Sequence, residues 1–393
     1  RSLSVLSSRA DGVKKIKVEV ETNAGKITDV KQEVLLDRGT SAAGNGPGDD
    51  LHWHDLCAVQ ELSCVVTLTS GQVFTWKRYA PESDVWIGVV GHHVYKLRER
   101  DQRVQYRCVH PPHLSPDQAS ATLHDYFRLE VEAAPLYAKW SEKEDDMSKI
   151  IRSLPGLRII RQDPVECLFA FICSSNNNIQ RITQMIAKLK ATYGELLFHD
   201  PVSDEEFFAF PTVEALATRA EESTLRDLGF GYRAPFIIKS TALLKELGGV
   251  EYLKALREIP PSGNDDEYAD KLMAFSGVGR KVADCIGLFA LNKLHAIPVD
   301  THVWQIACRE FDPSLKDKKS LTPTVYQTVG DHFRARFSPL AGWAHSVLFT
   351  GDLTSFKTHL PKEMQQKKKP AAKSKRPTAA NLRAEDKKKA KSS

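Results

Sequence analysis

A chain of 393 residues that is 41% hydrophobic is long enough to bury one or two substantial cores. Its seven scattered cysteines, odd in number and without a CxxC pair, argue against a disulfide scaffold and a compact zinc or iron–sulfur site, and no run of 18 apolar residues offers a membrane span. The net charge of +5 divides into +9 over residues 362–393, where 12 basic residues face three acidic ones, and −4 over the rest, so a nucleic-acid site on the body must be a local cluster of donors rather than a general basic surface.

Residues 1–50 read as a flexible arm. The opening RSLSVLSSRA, with two Arg, four Ser and no acid, resembles the end of an organelle transit peptide, and DRGTSAAGNGPGDD supplies turns but no apolar face. Residues 51–135 read as an antiparallel sheet domain with one buried face. The short runs CVVTL from Cys64, VFTW from Val73, VWIGVV from Val85 and HVYKL from His93 are its expected strands, and Ser115-Pro116 starts a helix. Near residue 135 the period lengthens. ECLFAFICS, IQRITQMIAKLKATY, FIIKSTALLKEL, YADKLMAF, KVADCIGLFAL and HVWQIACREF predict a nearly all-helical domain over 136–360. Residues 361–393 have too few apolar residues to fold and read as a disordered basic tail, whose KKK and KSKR clusters fit a nuclear address. No internal repeat is present, which argues against a solenoid.

The chemistry concentrates in residues 268–311. An apolar-faced helix stops at Ser276-Gly277, turns through Gly277-Val278-Gly279, and a second helix starts near Lys281. Glycines there permit positive φ and bring backbone amides close to a phosphate at a helix N-terminus, although a plain glycine-capped turn has the same residues. Lys281 reads either as a phosphate-contacting surface lysine or as a nucleophile whose ammonium form is disfavoured by its own helix N-terminus and by partial desolvation. Cys285 shares its helical face, as a small core residue or as the wall of a base pocket. Asp300, in IPVDTHVW, is a helix N-cap and also a rigid carboxylate able to stabilise a cationic sugar. His302, in the first turn of that helix, is an exposed polar residue or a phosphate donor.

The helix-hairpin-helix followed by Pro-Val-Asp resembles the signature of the helix-hairpin-helix DNA glycosylase superfamily, and a lysine at position 281 resembles its bifunctional members. The similarity extends to LRIIRQDPVECLFAFICSSNNNIQRIT from Leu157, LGFGYRA from Leu228, SGQVFTW from Ser70 and AGWAHSVLF from Ala341, which resemble the eukaryotic 8-oxoguanine DNA glycosylases over residues 55–355. The resemblance implies an α+β fold, an N-terminal antiparallel β-sheet domain with helices followed by a mostly α-helical helix-hairpin-helix glycosylase domain. It implies a monomer that acts on double-stranded DNA containing 8-oxoguanine paired with cytosine, needs no cofactor and no metal, contacts no membrane, and works in the nucleus or in a DNA-containing organelle such as the mitochondrion.

It further implies catalytic roles for Lys281 and Asp300. Gly71 would lend its carbonyl to the N7 hydrogen that 8-oxoguanine has and guanine lacks, and Cys285 and Phe349 would wall the base pocket. Asn176, Arg181 and Arg233 would satisfy the unpaired cytosine, and Tyr232 would wedge beside the flipped nucleotide. At position 345 the family pattern has glutamine reading the Watson–Crick edge, and this chain has histidine. Neutral His345 can satisfy only one of the adjacent donor and acceptor groups at a time, which predicts a looser pocket, relatively better acceptance of ring-opened purines, and pH-sensitive binding between pH 6 and 8. Two rival readings are a superfamily glycosylase for another damaged base and a non-catalytic helix-hairpin-helix DNA-binding protein.

Overall fold

The computed structural model describes residues 53–81, 83–260 and 267–365, with the backbone of 3–10 and 13–20. The last form an antiparallel hairpin, β1 (Leu3–Ala10) with β2 (Val13–Val20), where a flexible arm was expected. The rest of the arm and residues 366–393 of the tail lie outside the described residues.

The second unit begins at Trp53 with β3 (His54–Ala58), α1 (Cys64–Thr69), β4 (Lys77–Arg78), β5 (Trp86–Val90), β6 (His93–Arg100) and β7 (Arg103–His110). These strands make one antiparallel sheet in the order β3-β7-β6-β5-β4. VWIGVV and HVYKL are strands as expected, but CVVTL is helix α1 and VFTW lies outside the sheet. The β-branched run is turned into a helix by Ser63, whose hydroxyl caps it, and by burial of Cys64, Val66 and Leu68. Helix α2 (Pro116–Tyr126) starts where Ser115-Pro116 places it, with a full capping box to Gln118. It covers one sheet face, Leu123 and Tyr126 packing on Tyr95, Leu97, Val104 and Tyr106.

The expectation of a single buried face is not met. The hairpin of β8 (Leu196–Asp200) and β9 (Glu205–Phe208), from inside the helical half, lays Phe207 against Ile87, Val89 and Val94 on the other face. Lys96 fastens it there, 3.4 Å from Asp200. Two short strands with mixed polarity carry too little period to be seen in a helical context.

The helical part comprises α3 (Ala133–Lys143), α4 (Asp145–Ser153), α5 (Pro164–Ser174), α6 (Ile179–Tyr193), α7 (Val213–Arg219), α8 (Glu222–Asp227), α9 (Ala234–Glu246) and α10 (Val250–Glu258). It continues with α11 (Glu267–Met273), α12 (Arg280–Ala290), α13 (Thr301–Glu310), α14 (Pro323–Phe337), α15 (Ala341–Asp352) and α16 (Lys362–Gln365). Helix α5 is apolar on all sides and is buried from Pro164 to Cys173, so it forms the hub on which α12 packs. The fold runs a little past residue 360, because Met364 on α16 is buried in the same core, which corrects the start of the expected tail.

One segment without helix or strand, residues 157–162, joins the sheet to the helices. Arg158 is fully buried, donating to the carbonyls of Phe127, Arg128 and Val131 and pairing with Glu61 at 3.0 Å. The same segment grips Gln72, whose Nε2 donates to the Arg158 carbonyl at 2.8 Å and whose Oε1 accepts from Ile160 N at 2.9 Å. Gln162 returns a bond to the Gln72 carbonyl at 2.8 Å. Position 71 is thereby held against the helical core.

Candidate active site

Helix α12 starts at a hairpin that only glycine can make. Gly277 has φ +85°, and a Cβ there would meet the Phe236 ring at 2.7 Å. Lys281 is the second residue of the helix, and Cys285 follows one turn later. Beyond Phe289 the chain next forms α13, capped by Asp300, whose Oδ1 accepts from His302 N at 2.9 Å and Val303 N at 3.0 Å. The cap rigidly fixes the carboxylate. Gly71, at φ +86°, approaches from the sheet side, with Ile179 covering the space where a Cβ would sit. His345 and Phe349, one turn apart on α15, close the opposite side.

These six residues, Gly71, Lys281, Cys285, Asp300, His345 and Phe349, line a single pocket. Sequence reasoning missed Gln72, Phe171 and Phe289, which line it as well. The two phenylalanines stack with centroids 5.6 Å apart and make its apolar floor. In the sequence they are indistinguishable from core residues of α5 and α12.

The electrostatics correct one expectation. Lys281 does not lose its proton easily: the Cys285 sulfur and then the Asp300 carboxylate hold its ammonium above the ordinary lysine value, against the opposing effect of burial. Burial pushes the Cys285 thiol up to about 11, so at neutral pH it is a thiol, and the full negative charge facing the ammonium there is that of Asp300.

His345 is 4% exposed, and its ring nitrogens lie near the Gly342 and Pro298 backbone without a well-formed hydrogen bond. Its ring stacks on Phe349 at 6.1 Å and meets Phe333 edge-on at 5.5 Å. Desolvation pushes its pKa down to about 4. The imidazole therefore stays neutral from pH 6 to 8, and the expected pH-sensitive binding in that range has no source in its protonation in the free protein.

The residues expected to touch DNA lie outside the cavity. Asn176, at φ +50°, and Arg181 are exposed, as is Tyr232 at 49%, whose hydroxyl donates to the Ser175 carbonyl at 2.9 Å. Arg233 differs. It is 2% exposed and donates to the Ser175 and Asn176 carbonyls, so here it braces the asparagine loop from below and does not offer a free guanidinium. Gly277, Val278 and Gly279 form the α11–α12 turn, with the Val278 side chain buried. The half-exposed His302 ring lies 3.6 Å from Asp352 and edge-on to Phe349. Sequence reasoning also missed Asp284, a buried acid on α12 bonded to Tyr268, Tyr326 and Arg280. A carboxylate inside KVADCIGLFAL was its visible signal. Among the described residues, no helix is long and apolar enough to cross a membrane.

Known proteins share this architecture. The family described as "8-oxoguanine DNA glycosylase, N-terminal domain" matches residues 56–168, and "HhH-GPD superfamily base excision DNA repair protein" matches residues 169–324. The N-glycosylase/DNA lyase OGG1 of Arabidopsis thaliana is 40% identical over 304 residues, 76% of this chain and 80% of that protein. The N-glycosylase/DNA lyase of Saccharomyces cerevisiae is 35% identical over 257 residues, 60% of this chain and 67% of that protein. A crystal structure of the Clostridium acetobutylicum 8-oxoguanine glycosylase/lyase, in complex with dsDNA containing cytosine opposite to 8-oxoG, superposes with a TM-score of 0.63 at 26% identity, covering 74% of this chain and 91% of that one. With the two family descriptions together covering residues 56–324 and a relative 40% identical over 80% of its own length, the chain belongs to the 8-oxoguanine DNA glycosylases of the HhH-GPD base-excision repair superfamily.

Proposed function

We propose that this protein is a bifunctional DNA glycosylase and apurinic-site lyase that excises 8-oxoguanine paired with cytosine. One observation carries the reading: an amine, a capped carboxylate and the expected base-contacting groups arrive from four distant segments to line one cavity. The Gly71 carbonyl accepts the N7 hydrogen of the lesion, whereas guanine would present a repelling lone pair. Cys285 and Phe349 enclose the base, His345 offers its edge one donor and one acceptor, and Asn176 and Arg181 meet the cytosine.

The ammonium state of Lys281 sets the order of events. The glycosidic bond breaks first, its electron pair leaving with the base, while Asp300 stabilises the cationic sugar. The departing base anion takes a proton from the ammonium, and the freed amine attacks C1′. The C1′–O4′ bond then opens as a proton passes from nitrogen to O4′, giving the Schiff base. Loss of the C2′ proton expels the 3′ phosphate with the C3′–O electron pair and nicks the strand. The basic tail, by its composition, supplies nuclear import and non-specific DNA affinity, which a tail-less fusion tests by its cellular distribution.

The decisive experiment is borohydride trapping on a duplex with 8-oxoguanine opposite cytosine. Wild type should become covalently linked to DNA. Lys281→Gln should bind the duplex yet neither trap nor nick it, and trapping by that variant would show that another amine is the nucleophile.

A further inference from the structure

The two proposed catalytic groups sit on different elements. Lys281 is on α12, and Asp300 ends the connection that follows it. Nothing in covalent geometry fixes their separation, so a tertiary contact must do so. One network reaches the backbone beside both.

Its centre is Asp284, buried three residues after Lys281. One oxygen accepts from Tyr268 Oη on α11 at 2.8 Å. The other accepts from Arg280 Nε, the residue preceding Lys281, at 3.1 Å, and from Tyr326 Oη on α14. The Tyr326 oxygen in turn accepts from Val299 N, the residue preceding Asp300, at 3.1 Å. Its single proton goes to the carboxylate, the shorter and charged contact, and the Ile297 carbonyl at 3.2 Å is second to it. Arg280 also lies over the Tyr326 ring at 5.7 Å. None of these side chains lines the cavity, so none can touch a bound base.

We infer that Asp284 and Tyr326 are positioning residues that lock the start of α12 to the 297–299 segment and so set the distance between the Lys281 amine and the Asp300 carboxylate. The inference rests on the function proposed above. A buried carboxylate with three donors on three elements could serve stability alone, but a purely structural brace has no reason to end on the two residues that precede the amine and the carboxylate. Loss of the Tyr326 hydroxyl would free Val299 without opening the core, since the ring remains.

The test measures single-turnover base release, trapping rate, lesion-duplex affinity and thermal midpoint for Asp284→Asn, Tyr326→Phe and the double variant. A positioning role predicts that each single variant slows release and trapping roughly ten- to a hundredfold, with affinity within about threefold of wild type, because misplacement of about 1 Å costs that much. The double variant should be no slower than the slower single one, since both cut the same link. Wild-type release and trapping by Tyr326→Phe would overturn the inference, and so would rates that fall only in step with affinity and midpoint. Should Asp284→Asn not fold, Tyr326→Phe decides alone. Failure of wild type to trap would instead overturn the proposed function, and the positioning role with it.

Discussion

At the scale of single residues, protonation states make the sharpest predictions. If the amine must be neutral before the glycosidic bond breaks, the logarithm of the base-release rate rises by about one per pH unit towards the lysine value. With the ammonium facing the Asp300 carboxylate and bond cleavage first, release should be nearly flat from pH 7 to 9 in single-turnover measurements. Asp300→Asn removes the full charge and should slow release roughly a hundredfold or more, with the helix still capped by the amide oxygen. His345 acts differently. Its folded pKa near 4 lies below the ordinary 6.5, so the unfolded chain binds the extra proton first. Its contribution to stability is present above about pH 6.5 and is lost as pH falls towards 4, by up to roughly 3 kcal/mol. His345→Gln should flatten that acid limb in thermal melts and bind 8-oxoguanine duplex a few-fold tighter, the value of about one hydrogen bond. Legibility at this scale was uneven. Lys281 and Asp300 stand out because a hairpin and a Pro-Val-Asp frame them, whereas the charge state of Lys281 and the desolvation of His345 depend on how separate helices close around one cavity, which no local pattern encodes.

At the scale of elements, long amphipathic segments were legible and short ones were not. IQRITQMIAKLKATY is α6 to the residue, and YADKLMAF and KVADCIGLFAL bracket the hairpin correctly. CVVTL misled because β-branched residues are neutral evidence over six positions, and the deciding facts were a serine cap and three burials supplied by the rest of the fold. The hairpin gives its own test. Gly277→Ala places a side chain at positive φ and into the Phe236 ring, which should destabilise the turn by about 1–2 kcal/mol or more. If the turn amides hold phosphate, affinity for damaged and undamaged duplex should fall together in a binding titration, leaving their ratio unchanged.

At the scale of the whole molecule, the sheet and the helices meet through Arg158 and Gln72. Arg158→Met would leave Glu61 and three carbonyls without their buried partner and should lower stability by about 3 kcal/mol or more, read from a denaturant midpoint. The sequence marked the sheet and the helical half as separate regions but carried no sign of this joint, because an arginine in LRIIRQDP looks like surface until its carbonyl partners are known. The cavity draws its lining from positions 70–72, 171, 281–300 and 345–350. A ribosome that has finished the nucleophile has not yet made the wall that encloses the base. A chain stopped after α13 would therefore possess the amine and the carboxylate without α15, and a truncated product is expected to be an unfolded, inert polypeptide, not a strand-cutting lyase freed from lesion recognition. Distributing the pocket over the chain ties the capacity to break DNA to the completion of the part that selects the damage.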